Sequence, residues 1–380
     1  MKKLVRISTV PESLETFCKG QLKWLSGMFE VVAVSSPLPQ LEIVREREGV
    51  RTVAIPMERH ISFFKDVVSL CRLVLLFMKE KPDIVHSMTP KAGLLSMLAA
   101  WVCRVPIRMH TYTGLVFPTA TGYTQRILIW MDRLLCFCAN YINPEGKGVA
   151  GDLKAYKITK KPLHLIGNGN VRGIDLDYWN PDLYGSIRGD GKITREKLGL
   201  RADDLVFLFV GRLVGDKGIN ELVEAFRRMD DSQTKLLLVG PYENKLDPLK
   251  KETMNEIESN PRILTTGGQR DVRPYYVMAD VFVFPSYREG FPNTVLEAGA
   301  MGLPSIVTDI NGANEIIMDG QNGVLVPPRD VKTLYEKMQM MKENRDLRTK
   351  MASCSRERVV SRFEQKFIWN ELMKTYKSFG

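Results

Sequence analysis

Short apolar runs alternate with longer amphipathic segments along almost the whole chain. The first half predicts strands at 4–8, 31–34, 52–55, 83–86, 107–111, 140–143 and 163–166, with helices at 14–27, 62–79, 91–103, 122–138 and 145–156. The second half predicts strands at 206–210, 235–239, 263–265, 281–284, 305–307 and 323–326, again separated by helices, with a final amphipathic helix near 364–378. Strands that alternate with helices form parallel sheets. The pattern therefore predicts an α/β protein with two Rossmann-like, doubly wound domains facing a central cleft, followed by C-terminal helices.

The alternation lapses in one segment, which reads DYWNPDLYGSIRGDG and runs from Asp177 to Gly191. Its Gly, Pro and Asp content is typical of an inter-domain connection. We predict an N-terminal domain at 1–176, a linker at 177–200, a C-terminal domain at 201–360, and a terminal helix at 361–380 that packs back on the N-terminal domain.

The composition of the 380 residues is that of an ordinary globular protein. No apolar run reaches the roughly 18 residues that a membrane-spanning helix needs. The first residues, MKKLVRIST, predict a strand rather than a secretory signal. The six cysteines lack the spacing of a metal site or a disulfide framework, which favours a reducing, cytoplasmic location.

The net charge of +10 is unevenly distributed. Residues 1–180 contain 24 Lys/Arg against 15 Asp/Glu, a net charge of +9, whereas residues 181–380 contain 30 against 29, a net charge of +1. A basic surface attracts anionic partners such as phosphorylated lipid, an anionic bilayer or nucleic acid. The aromatic–basic interleaving of nucleic-acid modules does not occur, so we expect no nucleic-acid partner. We expect peripheral attachment to the inner face of the cytoplasmic membrane; ordinary scatter of surface lysines is the alternative.

The segment 287–322 carries the strongest chemical signal. It follows the predicted strand at 281–284, so it lies beyond the carboxyl end of a strand, where ligands bind in open α/β sheets. Glu289 and Gly290 come first, and the helix that follows carries Glu297. A helix start binds phosphate or sugar oxygens, and each carboxylate can accept hydrogen bonds from the hydroxyl groups of a sugar or ribose. The alternative is that Glu289 is a loop charge and Glu297 lies on a solvated helix face.

A second set of polar residues follows the first strand of the C-terminal half. Gly211 and Arg212 end that strand, and Lys217 opens the next helix. Two cations and a glycine turn at a helix start can bind a pyrophosphate, although surface cations in a turn would look the same. GPYE at 240–243 and GGQRD at 267–271 also follow strands, where paired glycines let backbone groups contact a flat base; they could equally be plain turns.

In this order and spacing, GRLVGDKGI, the paired glycines and PSYREGFPNTVLEAGAMGLPSIVTDINGANEII strongly resemble glycosyltransferase family 4, the retaining, nucleotide-sugar-dependent enzymes of GT-B fold. The resemblance covers nearly all of 205–330 and, more loosely, the first half. Glu289 and Glu297 match the family's motif of two glutamates separated by seven residues. The resemblance implies that Glu297 holds the ribose and Glu289 the transferred sugar. The implied catalytic residues are Glu289, Arg212 and Lys217, and the implied donor-binding residues are Glu297, Gly290, Phe291, Pro292, Asn293, Thr294, Gly211, Gly268 and Arg270.

The first half is similar, more narrowly, to the bacterial branch that builds capsule, O-antigen and other lipid-linked glycans. HSMTPKAGLL and HTYTGLVFPT carry that likeness. Lys91 could receive an acceptor phosphate, and a surface lysine is the alternative. Many relatives have a histidine before the glycine of the second segment, whereas here Thr113 precedes Gly114 and His110 lies three residues earlier. We expect His110, Thr113 and Gly114 on the acceptor or donor-sugar side, unless His110 is simply a satisfied strand-end residue.

The resemblance implies transfer of a hexosyl or N-acetylhexosaminyl group from a nucleoside diphosphate sugar, expected to be a UDP-sugar, to a hydroxyl of a lipid-linked or polysaccharide acceptor. The donor is a co-substrate bound between the domains, and no cofactor is expected. Because Arg212, Lys217 and a helix start supply positive charge, no metal ion is expected either. The leaving phosphate would deprotonate the acceptor, without a covalent protein nucleophile. A nucleotide-sugar epimerase of the same fold and a non-catalytic carbohydrate or lipid-phosphate binding protein remain alternatives.

Overall fold

In a computed structural model, the described part of the chain comprises residues 1–58, 62–184, 195–243 and 247–379. It divides into two compact units. Unit 1 contains the chain up to Gly173 together with the chain from Lys366 onward, and unit 2 runs from Ile174 to Gln365. The predicted linker at 177–200 includes residues 185–194, which lie outside the described residues.

Unit 1 is built on one parallel sheet of six strands in the order β3-β2-β1-β4-β5-β6. Helices pack on both faces, so every strand except the edge strand β3 is buried over most of its length. The elements are β1 (Lys3–Ile7), α1 (Pro11–Phe17), α2 (Gln21–Ser26), β2 (Glu30–Ser35), α3 (Gln40–Glu48), β3 (Arg51–Ala54), α4 (Phe63–Glu80), β4 (Ile84–Ser87), α5 (Pro90–Val102), β5 (Ile107–Tyr112), α6 (Gly122–Cys138), β6 (Tyr141–Pro144) and α7 (Lys147–Ala155).

Unit 2 repeats this topology with the sheet order β12-β11-β10-β7-β8-β9. Its elements are β7 (Leu205–Val210), α8 (Ile219–Arg227), β8 (Thr234–Val239), α9 (Lys251–Ser259), β9 (Ile263–Thr265), α10 (Arg273–Met278), β10 (Val281–Phe284), α11 (Asn293–Ala300), β11 (Ser305–Thr308), α12 (Ala313–Ile316), β12 (Gly323–Val326), α13 (Val331–Glu343) and α14 (Arg345–Phe363). The last helix, α15 (Gln365–Lys377), begins at the boundary and packs in unit 1, where Tyr376 is buried.

In each sheet the first strand lies in the middle. The chain builds outward on one side, then crosses over and builds outward on the other. The strand order therefore reverses between β1 and β4 in unit 1, and between β7 and β10 in unit 2. The crevice at the carboxyl ends of two such strands is the usual ligand site of open α/β sheets. The predicted fold class, two Rossmann-like units of parallel sheet with C-terminal helices, is confirmed.

Three local predictions differ from the structure. The predicted strand at 163–166 is wrong: Leu163 makes only an isolated bridge to Ile142, because glycines with positive φ at Gly167 and Gly169 turn the chain away. The predicted helix at 14–27 is two helices, separated at Gly20, which has a φ of 75°. Helix α3 was not predicted, since its polar sequence QLEIVRERE carries only a short apolar stripe.

In the described part of the chain, no helix is both long enough and apolar enough to cross a membrane.

Candidate active site

The polar residues of unit 2 meet at the reversal of its strand order. Strands β7 and β10 pair in parallel, so their carboxyl ends lie side by side. Helix α8 begins against the end of β10 because Gly218 adopts a φ of 71° and lacks a side chain. A Cβ atom on Gly218 would overlap the carbonyl oxygen of Pro285. This close approach brings Lys217, the residue before the glycine, to the loop that follows β10.

Glu289 is held in that loop by two side chains. Lys217 forms an ion pair with its carboxylate, and the Ser286 hydroxyl donates a hydrogen bond to the same oxygen at 2.9 Å. The Lys217 ammonium also lies 5.2 Å from the centre of the Phe284 ring. The side chains of Lys217 and Glu289 retain 19 % and 17 % exposure, so a ligand can reach both. Without a ligand, each therefore balances the charge of the other.

Glu297 does not face bulk solvent. It lies on α11 with 7 % exposure, and the Tyr276 hydroxyl donates to its carboxylate at 3.3 Å. The solvated-helix alternative for Glu297 is therefore wrong. The same Tyr276 hydroxyl lies 3.3 Å from the carbonyl oxygen of Thr294, so α10 fixes the first turn of α11.

The loop before α11 packs closely against the loop that carries Gly312. Gly290, Phe291 and Pro292 are buried, whereas Asn293 and Thr294 at the helix start are half-buried. A Cβ atom on Gly312 would overlap the carbonyl oxygen of Gly290, so only a glycine there allows the two loops to meet. The first N–H groups of α11 cannot be paired within the helix, which makes this end suitable for anionic oxygens.

Arg212 lies at the edge of this site and forms an ion pair with Glu243, from the loop after β8. The two loops meet because Gly240 lacks a side chain, since a Cβ atom there would overlap the carbonyl oxygen of Gly211. Gly268, in the loop after β9, lies beside Pro241, in the loop after β8, and Arg270 is exposed in the loop after β9. In sheet order, β9 is two strands from β7, so Arg270 is farther from the reversal point than Lys217 is.

In unit 1, Lys91 lies at the start of α5 and is buried rather than on the surface. Its ammonium donates to both carboxylate oxygens of Asp66, on α4, at 2.7 and 3.0 Å. The surface-lysine alternative is therefore wrong. An acceptor phosphate would have to share Lys91 with Asp66 or displace that carboxylate.

His110 is fully buried beneath α5. Its Nδ1 lies 2.8 Å from the Ser87 hydroxyl, and a Cβ atom on Gly93 would overlap the imidazole ring. Burial lowers the pKa of His110 to about 3, which keeps the ring neutral. This placement matches the satisfied strand-end residue. Thr113 and Gly114 are half-buried in the loop after β5.

A buried polar cluster in unit 1 was not predicted. The Arg6 guanidinium donates to the hydroxyl of Tyr376 at 2.6 Å and lies 2.7 Å from Nδ1 of His86. Burial, together with Arg6 and His110, lowers the pKa of His86 well below its usual value. HSMTP carries His86, but no sequence signal connects it to a tyrosine 290 residues later.

Two further contacts in unit 2 were also missed. Ser286 could have been found, because it lies within the motif that contains Glu289. Tyr276 could not, since it lies on a separate helix 21 residues before Glu297.

Two sheets of Rossmann strand order, with a cation–carboxylate pair at the reversal point of the second, are the arrangement expected of a GT-B type of glycosyltransferase. Family models confirm this: residues 190–358 match "Glycosyl transferases group 1", and residues 15–169 match "Glycosyl transferase 4-like domain". The chain belongs to this glycosyltransferase family.

Two curated relatives are similar in sequence to this chain over most of their length. The chain is 31 % identical to a "Capsular polysaccharide biosynthesis glycosyltransferase CapM" of Staphylococcus aureus, covering 100 % of this chain and 97 % of the relative. It is 28 % identical to an Escherichia coli "UDP-Gal:alpha-D-GlcNAc-diphosphoundecaprenol alpha-1,3-galactosyltransferase", covering 83 % and 81 %. Among solved structures, Anabaena Alr3699/HepE in complex with UDP matches 100 % of both chains with a TM-score of 0.80 and 18 % identity, which shows the shared fold.

Proposed function

We propose that this glycosyltransferase moves a hexosyl or N-acetylhexosaminyl group from a UDP-sugar to a hydroxyl of a lipid-linked or polysaccharide acceptor, with retention of configuration, in cell-surface glycan biosynthesis. The observation that carries the proposal is the Lys217–Glu289 pair, held by Ser286 at the strand-order reversal of unit 2. The UDP complex of the Anabaena protein and the lipid-diphosphate acceptor in the name of the E. coli relative support the substrate classes.

Charge stabilisation is the main chemical task of the site. The transition state of glycosyl transfer resembles an oxocarbenium ion, and negative charge grows on the departing diphosphate. Lys217 supplies a point charge, and the first N–H groups of α11 supply a positive dipole end. Groups aimed at developing charge contribute about 3–4 kcal/mol each in comparable sites. In this proposal the diphosphate takes Lys217 from Glu289, and Glu289 is then available to accept hydrogen bonds from the transferred sugar.

The family resemblance implies the remaining roles. In this proposal Glu297 holds the ribose, and the hydrogen bond from Tyr276 supports it by fixing the carboxylate on α11. Arg212 neutralises the diphosphate from the edge of the site. These cations and the helix end supply the charge that a metal ion would otherwise supply, so we propose metal-independent transfer. The leaving phosphate deprotonates the acceptor hydroxyl on the same face of the sugar, which retains the configuration.

The donor proposal is tested by thermal denaturation with a panel of nucleotides and nucleotide sugars. A donor at about 100 times its Kd should stabilise the protein by about 2.7 kcal/mol.

Glu289→Gln should abolish transfer while nucleotide binding remains, and Glu336→Gln, on the exposed face of α13, is the matched control. Nuclear magnetic resonance of the product should show the anomeric configuration of the donor, and EDTA should leave the rate unchanged. Conversion of the donor without an acceptor would instead identify an epimerase.

A second proposed partner is an anionic bilayer. Apolar side chains at the end of α5 and along α6 point outward, and we call them the outer aromatic surface: Trp101, Tyr123, Ile127, Trp130, Leu134 and Phe137. Tyr123 and Trp130 are 82 % and 70 % exposed, and tyrosine and tryptophan favour the headgroup region of membranes. Arg126 and Arg133 line the same surface, within the half of the chain that carries a net charge of +9.

Sedimentation with vesicles tests this partner. The protein should sediment with phosphatidylglycerol-containing vesicles at low salt, and less with neutral phosphatidylcholine vesicles. Trp130→Ser should weaken sedimentation, whereas Val360→Ser, at an exposed apolar position in unit 2, should not. Equal sedimentation of both variants with the wild type, or no sedimentation of the wild type, would contradict the proposal.

A further inference from the structure

A small cavity lies in unit 1 where β5 ends. Its volume is about 30 Å³, and its walls include Tyr112, Gly114, Val116, Leu128, Met131 and Asp132; we call it the β5 cavity. One water-sized group requires roughly 10–15 Å³ of such space. The β5 cavity therefore has room for about two such groups, which is too little for a sugar ring but enough for a small substituent.

The walls of the β5 cavity differ in polarity. Val116, Leu128 and Met131 supply an apolar side, and Asp132 supplies a carboxyl group. The Tyr112 hydroxyl is engaged within the protein, at 3.2 Å from the sulfur of Cys136 and 3.5 Å from the backbone carbonyl of Asp132. Of the residues that line the β5 cavity, Asp132 carries a carboxyl group, and Tyr112 also bonds to that group.

Asp132 can act as either partner in a hydrogen bond. Burial raises the pKa of its carboxyl group to about 7, although a hydrogen bond from Tyr112 partly offsets the effect of burial. Near neutral pH both the protonated and the ionised forms are populated. The protonated form donates to a carbonyl oxygen, and the ionised form accepts from an N–H group.

We propose that the β5 cavity binds the acetamido group of an amino sugar, an inference that rests on the proposed function because it assigns a feature of that substrate. An acetyl group consists of a methyl and a carbonyl, which matches the size of the cavity. The methyl would contact the apolar side, and the amide would face Asp132. A sugar with a hydroxyl in the same position has no methyl to place there, so it would leave the apolar side in contact with water.

The acetamido group could belong to the acceptor or to the transferred sugar, and two binding experiments distinguish these sources. The first compares farnesyl diphosphate carrying N-acetylglucosamine with farnesyl diphosphate carrying glucose, by calorimetry with the full chain and no donor. The second compares UDP-N-acetylglucosamine with UDP-glucose. In one of the two pairs the acetamido compound should bind about 10- to 200-fold more tightly to the wild type, the discrimination typical of one apolar group in a matched pocket.

Three variants relate that preference to the β5 cavity. Val116→Phe fills the cavity and Asp132→Leu removes its polar end, so both should bring the affinity ratio close to one. Asp132→Asn keeps a donor and an acceptor in the same place and should preserve the ratio. Val360→Phe, at another exposed valine, is the matched control. Circular dichroism and cooperative thermal unfolding check that each variant is folded.

The outcomes separate this inference from the proposed function. If both compounds of each pair bind the wild type equally, or if Val116→Phe and Asp132→Leu keep the preference, the cavity assignment is overturned and the proposed function is untouched. If the wild type binds nucleotide but neither farnesyl compound, and shows no preference between the UDP-sugars, the lipid-linked acceptor of the proposed function is overturned together with the cavity assignment.

Discussion

The two sheets share one strand order, but the polar groups near their carboxyl edges are used differently. In unit 2, Lys217 and Glu289 form a partly exposed pair beyond the strands. In unit 1, Arg6 and His86 lie on the strands themselves, are almost completely buried, and bond to Tyr376. The strand order indicates where a ligand can bind, whereas exposure decides whether a charged group serves a ligand or the fold.

The largest expected effect separates activity from stability in unit 2. Lys217→Ala should lower the transfer rate by about 100- to 1,000-fold, because a cation aimed at the leaving diphosphate is lost. The free energy of unfolding should fall by about 1–2 kcal/mol at most, because Glu289 loses its partner but keeps contact with water and the bond from Ser286. Steady-state kinetics and urea denaturation measure the two quantities. Lys332→Ala, which removes an exposed pair with Glu336, is the control and should change neither. A large loss of stability in Lys217→Ala would erase the contrast between the units.

The opposite outcome is expected in unit 1. Tyr376→Phe removes a hydroxyl that bonds to both Arg6 and His86, and it should lower the free energy of unfolding by about 1–3 kcal/mol. Nucleotide affinity should stay the same, because the nucleotide site is proposed in unit 2. Urea denaturation and calorimetry test the two expectations. Tyr123→Phe, at an exposed tyrosine, should leave stability unchanged; an equal loss there would contradict the assigned role of Tyr376.

These contrasts show what the sequence could and could not predict. Strands β9, β10 and β12 agree with their predicted bounds to the residue, because each is a short run of mostly apolar residues that ends at polar or turn residues. This holds both for β10, inside the sheet, and for β9 and β12, at its two edges. The placement of Glu289 and Lys217 at strand ends also follows from the pattern, and the topology brings those two ends together. The ion pair between them was not predicted, because the sequence assigned each residue to a different part of the donor.

Side-chain partners were less predictable. The sequence around Lys91 indicates a helix start, but only the packing of α4 against α5 reveals Asp66 as its partner. Tyr276 beside Glu297 is a similar case, because the two residues lie on different helices. Such contacts depend on which helices pack against each other. The hydrophobic periodicity of one helix predicts its buried face, but it does not identify the helix that packs there.

A pH series tests whether the folded protein accommodates the buried histidine rings of unit 1 only in their neutral form. Because burial lowers the pKa of His110 from 6.5 to about 3, the unfolded chain binds a proton between these values and the folded chain does not. The contribution of His110 is therefore fully present above pH 6.5 and is lost as the pH falls, by up to about 1.4 kcal/mol per pH unit.

The raised pKa of Asp132 acts in the opposite direction between pH 3.8 and 7, so the wild type must be compared with a variant. His110→Asn should lose stability less steeply than the wild type between pH 6.5 and 5, as measured by urea denaturation at each pH. Parallel curves would show that the imidazole takes up a proton without penalty.

The smallest effect is expected at the edge of the unit 2 site. Glu243→Gln removes the charge that faces Arg212, in a pair whose arginine is largely exposed. The free energy of unfolding should change by less than about 0.5 kcal/mol. Because the arginine would no longer be balanced by a carboxylate, nucleoside diphosphate should bind a few-fold more tightly at low salt, and salt should reduce that gain. Calorimetry at two ionic strengths measures the affinity for nucleoside diphosphate and its dependence on salt, with Glu336→Gln as the control. Weaker binding would mean that Glu243 orients Arg212 toward the diphosphate rather than competing with it. Glu243 would then support the binding of a ligand, whereas Glu289 is proposed to release its cation when the ligand binds.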